Sequence, residues 1–234
     1  MSVLTLPEEM ALLLHLAGGT PASRRQASAA CAAAELAELA LRGRIVVRSR
    51  PVVVGGVQVP LVRRAEIEPR GTGRIGLEWA DGVLAELARR GPGPIPLRPW
   101  VVRRDQLPHH REVLIARGLM RRLPGGLLVR DRHLPDPVLA RVSVQRIAAA
   151  GQRVDERGLL LSDLVAAAEL VGDLALPEPG DDRMNDERGI GRWSFRPEHL
   201  RDTSFLLASA VPKRTRFEVG GGDGDGGDGG GGGE

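Results

Sequence analysis

Apolar residues recur at helical spacing over most of the chain, and valine-rich or glycine-centred stretches break that rhythm in two places. Met10, Leu13, Leu14 and Ala17 mark one face of a first helix. Its start has the capping-box spacing Thr5-Leu6-Pro7-Glu8, and Gly18-Gly19 is its stop. A second helix is expected from about Gln26 to Leu41, with Cys31, Ala34, Leu36, Leu39 and Ala40 inside it and Arg42-Gly43 at its end. Ile45 to Val47 and Pro51 to Val62, parted by Gly55-Gly56, then predict a β-hairpin. Glu78 to Arg90 predicts a third helix, closed by Gly91-Pro92-Gly93-Pro94.

Trp100 to His110 is polar and arginine-bearing, a connection or a short helix. Arg111 to Arg117 is helical up to Gly118, and Leu119 to Arg130 predicts a second hairpin around Pro124-Gly125-Gly126. Helices are expected again at Pro137 to Ala150, Leu159 to Leu174 and Glu198 to Ala210, with a polar loop from Pro177 to Arg188. The fold class is therefore mainly α: one helical domain over residues 1–218, with projecting β-hairpins. Residues 219–234 form an acidic, glycine-rich tail, with Asp223, Asp225, Asp228 and Glu234 among the glycines from Gly220 on. Such a segment buries too little apolar surface to offset its ordering entropy, so disorder is expected there.

Composition narrows the function classes. The 234 residues are 42% hydrophobic, enough for a sizeable core. No apolar run is long and charge-free enough to span a bilayer, and Met1-Ser2-Val3 opens no basic n-region, so neither a membrane span nor a secretory signal is expected. Cys31 is the single cysteine, which excludes an internal disulfide and the usual cysteine-based metal sites and fits a reducing cytosol. Lys213 is the only lysine, and the abundance of arginine, alanine, glycine and leucine suggests a GC-rich, bacterial coding genome. Where the arginines fall is therefore more telling than how many there are. Arg42 to Arg74 and Arg98 to Arg132 each carry six positive charges in excess, and each includes a hairpin. A solvated face and an anionic partner, lipid head group or nucleic acid, both fit that pattern.

Motifs for chemistry are sparse. Gly71-Thr72-Gly73-Arg74-Ile75-Gly76 has the spacing of a phosphate-cradling loop, but Pro69-Arg70 precedes it and no βαβ unit follows. A plain loop before the third helix is the simpler reading. His109-His110 lack a nearby ligand set, and no nucleophile, zinc or nucleotide motif occurs. No enzyme, metal or cofactor is expected. In the second hairpin, Leu123, Leu127 and Leu128 flank the turn, with Arg121, Arg122 and Arg130 around them. Apolar tips ringed by cations suit a lipid–water interface, and aromatics that stack on bases are missing. An ordinary edge hairpin has the same pattern.

The ordered set of short motifs resembles the Golgi phosphoprotein 3 family. Leu4-Thr5-Leu6-Pro7-Glu8-Glu9 resembles its opening helix, and Glu38-Leu39-Ala40-Leu41-Arg42-Gly43-Arg44-Ile45 its most recognisable stretch. Thr72-Gly73 with Leu77 and the Glu78 helix, Leu114-Ile115-Ala116-Arg117-Gly118-Leu119, and Asp155 to Leu161 follow in order. The resemblance covers about Val3 to Leu176. It implies a mainly helical domain with a projecting hairpin, phosphatidylinositol 4-phosphate binding and peripheral attachment to a membrane. In eukaryotes it further implies adaptor work between coatomer and glycosyltransferase tails. The family's head-group pocket uses a tryptophan, an arginine on the second helix and arginines before the hairpin. Arg104 matches one of these, while Ser23, Ala32 and Leu107 stand at the others, with Arg24 and Arg25 beside the first.

The expected function is thus that of a non-enzymatic adaptor binding anionic phospholipid, through Arg24, Arg25 and Arg104 and a membrane-contacting hairpin of Leu123, Leu127 and Leu128. It would be cytoplasmic, held peripherally at the inner face of a membrane. A protein partner and homo-oligomerisation stay open, and nucleic acid is not the expected partner. The competing reading is a winged-helix-like nucleic-acid-binding protein, in which a helix enters a groove and the hairpin touches phosphate.

Overall fold

The computed structural model describes residues 4–16, 24–54, 57–71, 73–91, 93–122, 128–130, 138–139, 142, 155–176 and 198–213, with the backbone alone at 50–54, 57–62, 128–130 and 198–201. In chain order the elements are α1 (Leu6–Leu16), α2 (Arg24–Leu41), β1 (Ile45–Val54), β2 (Val57–Pro69), α3 (Glu78–Arg89), β3 (Ile95–Pro96), α4 (Leu97–Arg103), α5 (Leu107–Ala116), β4 (Met120–Arg122), β5 (Leu128–Arg130), α6 (Glu156–Ala167) and α7 (Glu198–Ala210). The protein is mainly helical, with a three-stranded antiparallel sheet in the order β1-β2-β3 and a separate β4-β5 hairpin.

The axis of the molecule is α2, buried without interruption from Gln26 to Leu39. A helix apolar on every face belongs inside a domain. Here alanine dominates, and its small side chain lets α1, α4, α5, α6, α7 and β1 all pack against one helix. β1 and β2 alternate as half-buried strands do: Ile45, Val47, Ala65 and Ile67 are buried, while Arg48 points outward and pairs with Glu68. Pairing runs from Ile45–Pro69 to Val54–Val57, with a register shift between Ser49 and Pro51. β3 adds a short third strand through Ile67–Ile95 and hands the chain directly to α4.

Two helices end in the same way. Gly43 (φ 64°) and Gly118 (φ 70°) take the left-handed conformation that glycine adopts without steric cost. At each end the double closure of a Schellman motif forms: Gly43 N–H to Ala40 O and Arg44 N–H to Leu39 O, then Gly118 N–H to Ile115 O and Leu119 N–H to Leu114 O. The expected helix from Leu159 stops at Ala167 instead of Leu174, because Glu169 occupies the same left-handed place (φ 57°). In the arginine-bearing stretch, α4 ends at Arg103 and α5 begins at Leu107, four residues before the expected start, with Pro108 in its first turn. The helix expected at Pro137 to Ala150 lies mostly outside the described residues. The loop at Pro177 to Arg188 and the tail from Gly220 lie wholly outside them.

Buried charge joins the segments that make the sequence recognisable. Glu8, Glu9 and Glu38 are buried on α1 and α2. Glu38 accepts from Leu6 N–H (2.9 Å), Arg42 Nε (2.8 Å) and Arg157 Nη1 (2.8 Å). Arg157, in the first turn of α6, also pairs with Glu9 (3.3 Å) and donates to the Leu4 carbonyl. Glu8 accepts from Thr5 N–H (2.6 Å), which is the carboxylate half of the expected capping box, and from Arg117 at the end of α5 (2.7 Å). Three carboxylates thus face three guanidiniums, the arrangement that buried ions need if they are to stay ionised.

Candidate functional site

Charged and aromatic side chains gather around α4. β3 fixes the start of α4 against β2, and Leu97, Trp100 and Val101 point into the core at i, i+3 and i+4. Trp100 is buried, and two guanidiniums lie over its ring, Arg90 at 4.9 Å and Arg104 at 4.8 Å from the centroid. Glu86, on α3, pairs with both, Arg90 at 3.5 Å. Arg104 reaches further in, with Nε 3.6 Å from Glu35 Oε2, and its side chain is only 15% exposed. A pocket of about 370 Å³ lies here, lined by Glu86, Arg90, Pro96, Pro99, Trp100, Arg103 and Arg104.

Beneath it, Glu35 is buried in α2, forms an ion pair with Arg104 on one side (3.6 Å) and meets His110 Nε2 (3.0 Å) on the other. His110 is buried and edge-on to Trp79 (5.7 Å), while His109 is exposed, so the two adjacent histidines do face different ways. Cys31 lies one turn before Glu35. Burial first, and the Glu35 charge second, push its thiol well above the ordinary range, which makes it an inert core residue.

The predicted lipid-binding residues divide. Arg24 and Arg25 are exposed at the first turn of α2, and Arg24 pairs with Asp105 (2.6 Å), the neighbour of Arg104 in the chain. Ser28 donates a hydrogen bond to the same carboxylate, and this bond above all, then Arg24, holds Asp105 below the usual carboxylate range. The structure thus brings Arg24 to the α4–α5 loop, but the Arg104 side chain turns inward to Glu86, Glu35 and Trp100. Ala32 and Leu107, which stand where the family's pocket arginines fall, are buried. Leu123 and Leu127 lie outside the described residues; Leu128 pairs with Arg122 across β4–β5 and only its backbone is described. Arg90, Arg103, Trp100 and Glu86 were not among the expected site residues. Trp100 and Arg103 leave a trace in the sequence, Arg-Pro-Trp-Val-Val-Arg-Arg from Arg98 to Arg104, a tryptophan followed by paired arginines after a proline-rich turn; Glu86 and Arg90 leave none.

The glycine-spaced loop has a plain structural role. Asp81, in the first turn of α3, accepts from Ile75 N–H (2.7 Å) and Gly76 N–H (3.3 Å), so an internal carboxylate already takes the amides a phosphate would need. Arg44 closes the loop by donating to the Gly73 carbonyl. Among the described residues, no group of three or more His, Cys, Asp or Glu is placed to hold a metal ion, and no helix is long and apolar enough to cross a membrane.

Comparison with known proteins gives a family. The curated proteins contain no match to the chain. The family model of Golgi phosphoprotein 3 (GPP34) matches residues 6–203, a span that takes in α1 to most of the first half of α7 and every carboxylate and guanidinium of the buried ionic network. The chain belongs to the Golgi phosphoprotein 3 (GPP34) family.

Proposed function

We propose that this protein is a non-enzymatic peripheral adaptor that docks reversibly on an anionic membrane surface, with a phosphatidylinositol 4-phosphate-like head group as its target. The observation that supports this most is the tie between Arg24 and Asp105, residues 81 apart in the chain. It brings the start of α2 against the α4–α5 loop, where Asp105 offsets the charge of Arg24 and the exposed Arg25 alongside leaves one net positive charge. Two arginines in the first turn of a helix oppose its dipole, and no acid of that turn offsets them. Positive potential therefore concentrates where anionic lipid would meet it. A basic side chain near an anionic leaflet contributes on the order of 1 kcal/mol. Family membership supports the adaptor part of the reading, and the β4–β5 hairpin would add its apolar tip, Leu123, Leu127 and Leu128, to the contact.

The test is sedimentation with phosphatidylcholine vesicles carrying a small fraction of phosphatidylinositol 4-phosphate. Replacing Arg24 and Arg25 by alanine should weaken binding about tenfold at low salt. Adding Arg104→Ala should weaken it further. Because Arg104 also neutralises Glu35 and Glu86, the exposed pair alone is the cleaner variant. Wild-type binding by that pair variant would remove the α2 start from the membrane contact.

A further inference from the structure

The β1–β2 hairpin changes character along its length. At its base Ile45, Val47, Ala65 and Ile67 enter the core, and β3 pairs with β2 only at Glu66 and Ile67. α7 meets this base, where Thr203 donates to the Val47 carbonyl (3.4 Å). From that point α7 runs only to Glu198 or Ala210, about 10 Å at most, whereas Val54 lies about 23 Å further along β1. β1 and β2 thus continue well past α7, as a two-stranded ribbon paired from Pro51–Pro60 to Val54–Val57. No other described strand joins it there. Register puts Val52, Val54, Val57 and Val59 on one face and Pro51, Val53, Gln58 and Pro60 on the other. Residues 51–62 carry no charge.

The two prolines decide which backbone groups face outward. A hydrogen-bonded cross-strand pair exchanges two N–H donors, and Pro51 opposite Pro60 has none to exchange. This pair is therefore of the non-bonded kind, with both nitrogens turned to the edges of the ribbon. Alternation makes Val52–Val59 and Val54–Val57 the bonded pairs and Val53–Gln58 another non-bonded one. Only Val53 and Gln58 keep an outward N–H in this stretch, so each edge has lost one of the donors a further strand would need. A ribbon with an all-valine face and few outward donors fits a medium poor in water better than a strand of another chain. The flanks say which medium. Arg48, Arg63 and Arg64 are exposed at the base, and of the three only Arg48 pairs with a carboxylate among the described residues, that of Glu68. Cations at one end of a charge-free apolar tip match anionic head groups above acyl chains. The tip from Pro51 to Val54 is about 10 Å long, the depth to which interfacial segments sink.

We infer that the tip of the β1–β2 hairpin, Pro51 to Val54 with Val57 to Pro60, is a membrane contact that seats its valines among the upper acyl chains of an anionic leaflet while Arg63 and Arg64 meet the head groups. The inference rests on the docking reading above and gives it a surface apart from the start of α2 and from the β4–β5 hairpin.

The test uses the full chain and phosphatidylcholine vesicles carrying phosphatidylinositol 4-phosphate. Cys31, the only native cysteine, is buried, so a cysteine introduced by Val53→Cys takes a polarity-sensitive dye selectively. Dye emission should rise and shift to the blue when vesicles are added. Val54→Asp with Val57→Asp, checked for folding by circular dichroism, should weaken sedimentation by about tenfold or more, because charge replaces apolar burial in the leaflet. Arg63→Gln with Arg64→Gln should weaken it at low salt and make little difference at high salt. If the labelled protein sediments with no change in emission, or the folded aspartate variant sediments as the wild type does, the tip lies outside the contact and the inference is wrong. Loss of binding by the Arg24 and Arg25 variant in the same assay would then leave docking standing. If the wild type does not sediment, docking itself fails and the tip falls with it. If emission shifts without vesicles as protein concentration rises, in step with a doubled mass by light scattering, a second copy covers the tip and the inference is overturned. Should the aspartate variant unfold, the dye alone decides.

Discussion

Arg157 shows most directly how single residues hold this fold. It reaches Glu9, Glu38 and the Leu4 carbonyl from the first turn of α6, so one side chain ties together three segments that are far apart in sequence. Replacing it by methionine keeps much of the volume but leaves two buried carboxylates facing less positive charge. Breaking one partner out of a buried ion pair typically costs about 3–5 kcal/mol. We expect Arg157→Met to lower the unfolding free energy measured in urea by that order, with the slope unchanged. A shift below about 1 kcal/mol would mean that water or another group takes over the pairing. None of this was legible from hydrophobic pattern alone, which treats each Glu as a surface position. Glu35 and Glu38 carried the only available hint, as the lone charges between Gln26 and Leu41 in a helix otherwise made of small and apolar residues.

At the scale of elements, the local signals worked where they are local. Helical spacing and glycine stops located α1, α2, α3 and α7, and Gly55-Gly56 and Pro124-Gly125-Gly126 placed both hairpins. The stretch from Trp100 to His110 was ambiguous for a physical reason. Prolines at 96 and 99 precede it and Pro108 interrupts it, and the break at 104–106 is set by Arg104 and Asp105 binding Glu86, Glu35, Arg24 and Ser28 on other elements. The over-long reading of α6 came from apolar residues that continue to Leu174 although the backbone has already turned at Glu169. This difference is testable by exchange at equivalent helix ends. Gly43→Ala should cost about 1–2 kcal/mol, since a Cβ is forced into the left-handed region. Glu169→Gly should instead stabilise, by up to about 1 kcal/mol, because it relieves that same strain. Thermal melts should move in opposite directions; melts that move together would show that contacts of the Glu169 side chain outweigh its backbone strain.

For the whole molecule, family and site separate cleanly. The segments that carry the family resemblance, around Glu8, Glu38, Arg42, Arg117 and Arg157, converge on a buried network, so they report architecture. The proposed contact residues Arg24 and Arg25 lie elsewhere, exposed at the start of α2, and were visible as candidates; Arg90 and Arg103 were not, because they come together only where Glu86 and Arg90 meet α4. The second hairpin can decide between the membrane reading and the nucleic-acid reading. A phosphate-backbone contact would use Arg121 and Arg122, both exposed on β4, and be indifferent to the leucines. A membrane contact would use both kinds of residue, since burying one apolar side chain contributes on the order of 1.5–3 kcal/mol. We therefore expect Leu127→Ser with Leu128→Ser to reduce vesicle binding while circular dichroism stays native. Raising the salt should weaken the variant more steeply in relative terms, because charge is then its main remaining attraction. A folded variant with undiminished vesicle binding would take the hairpin out of the membrane. Should that variant also shift duplex DNA tightly at physiological salt, the winged-helix reading would replace the adaptor one.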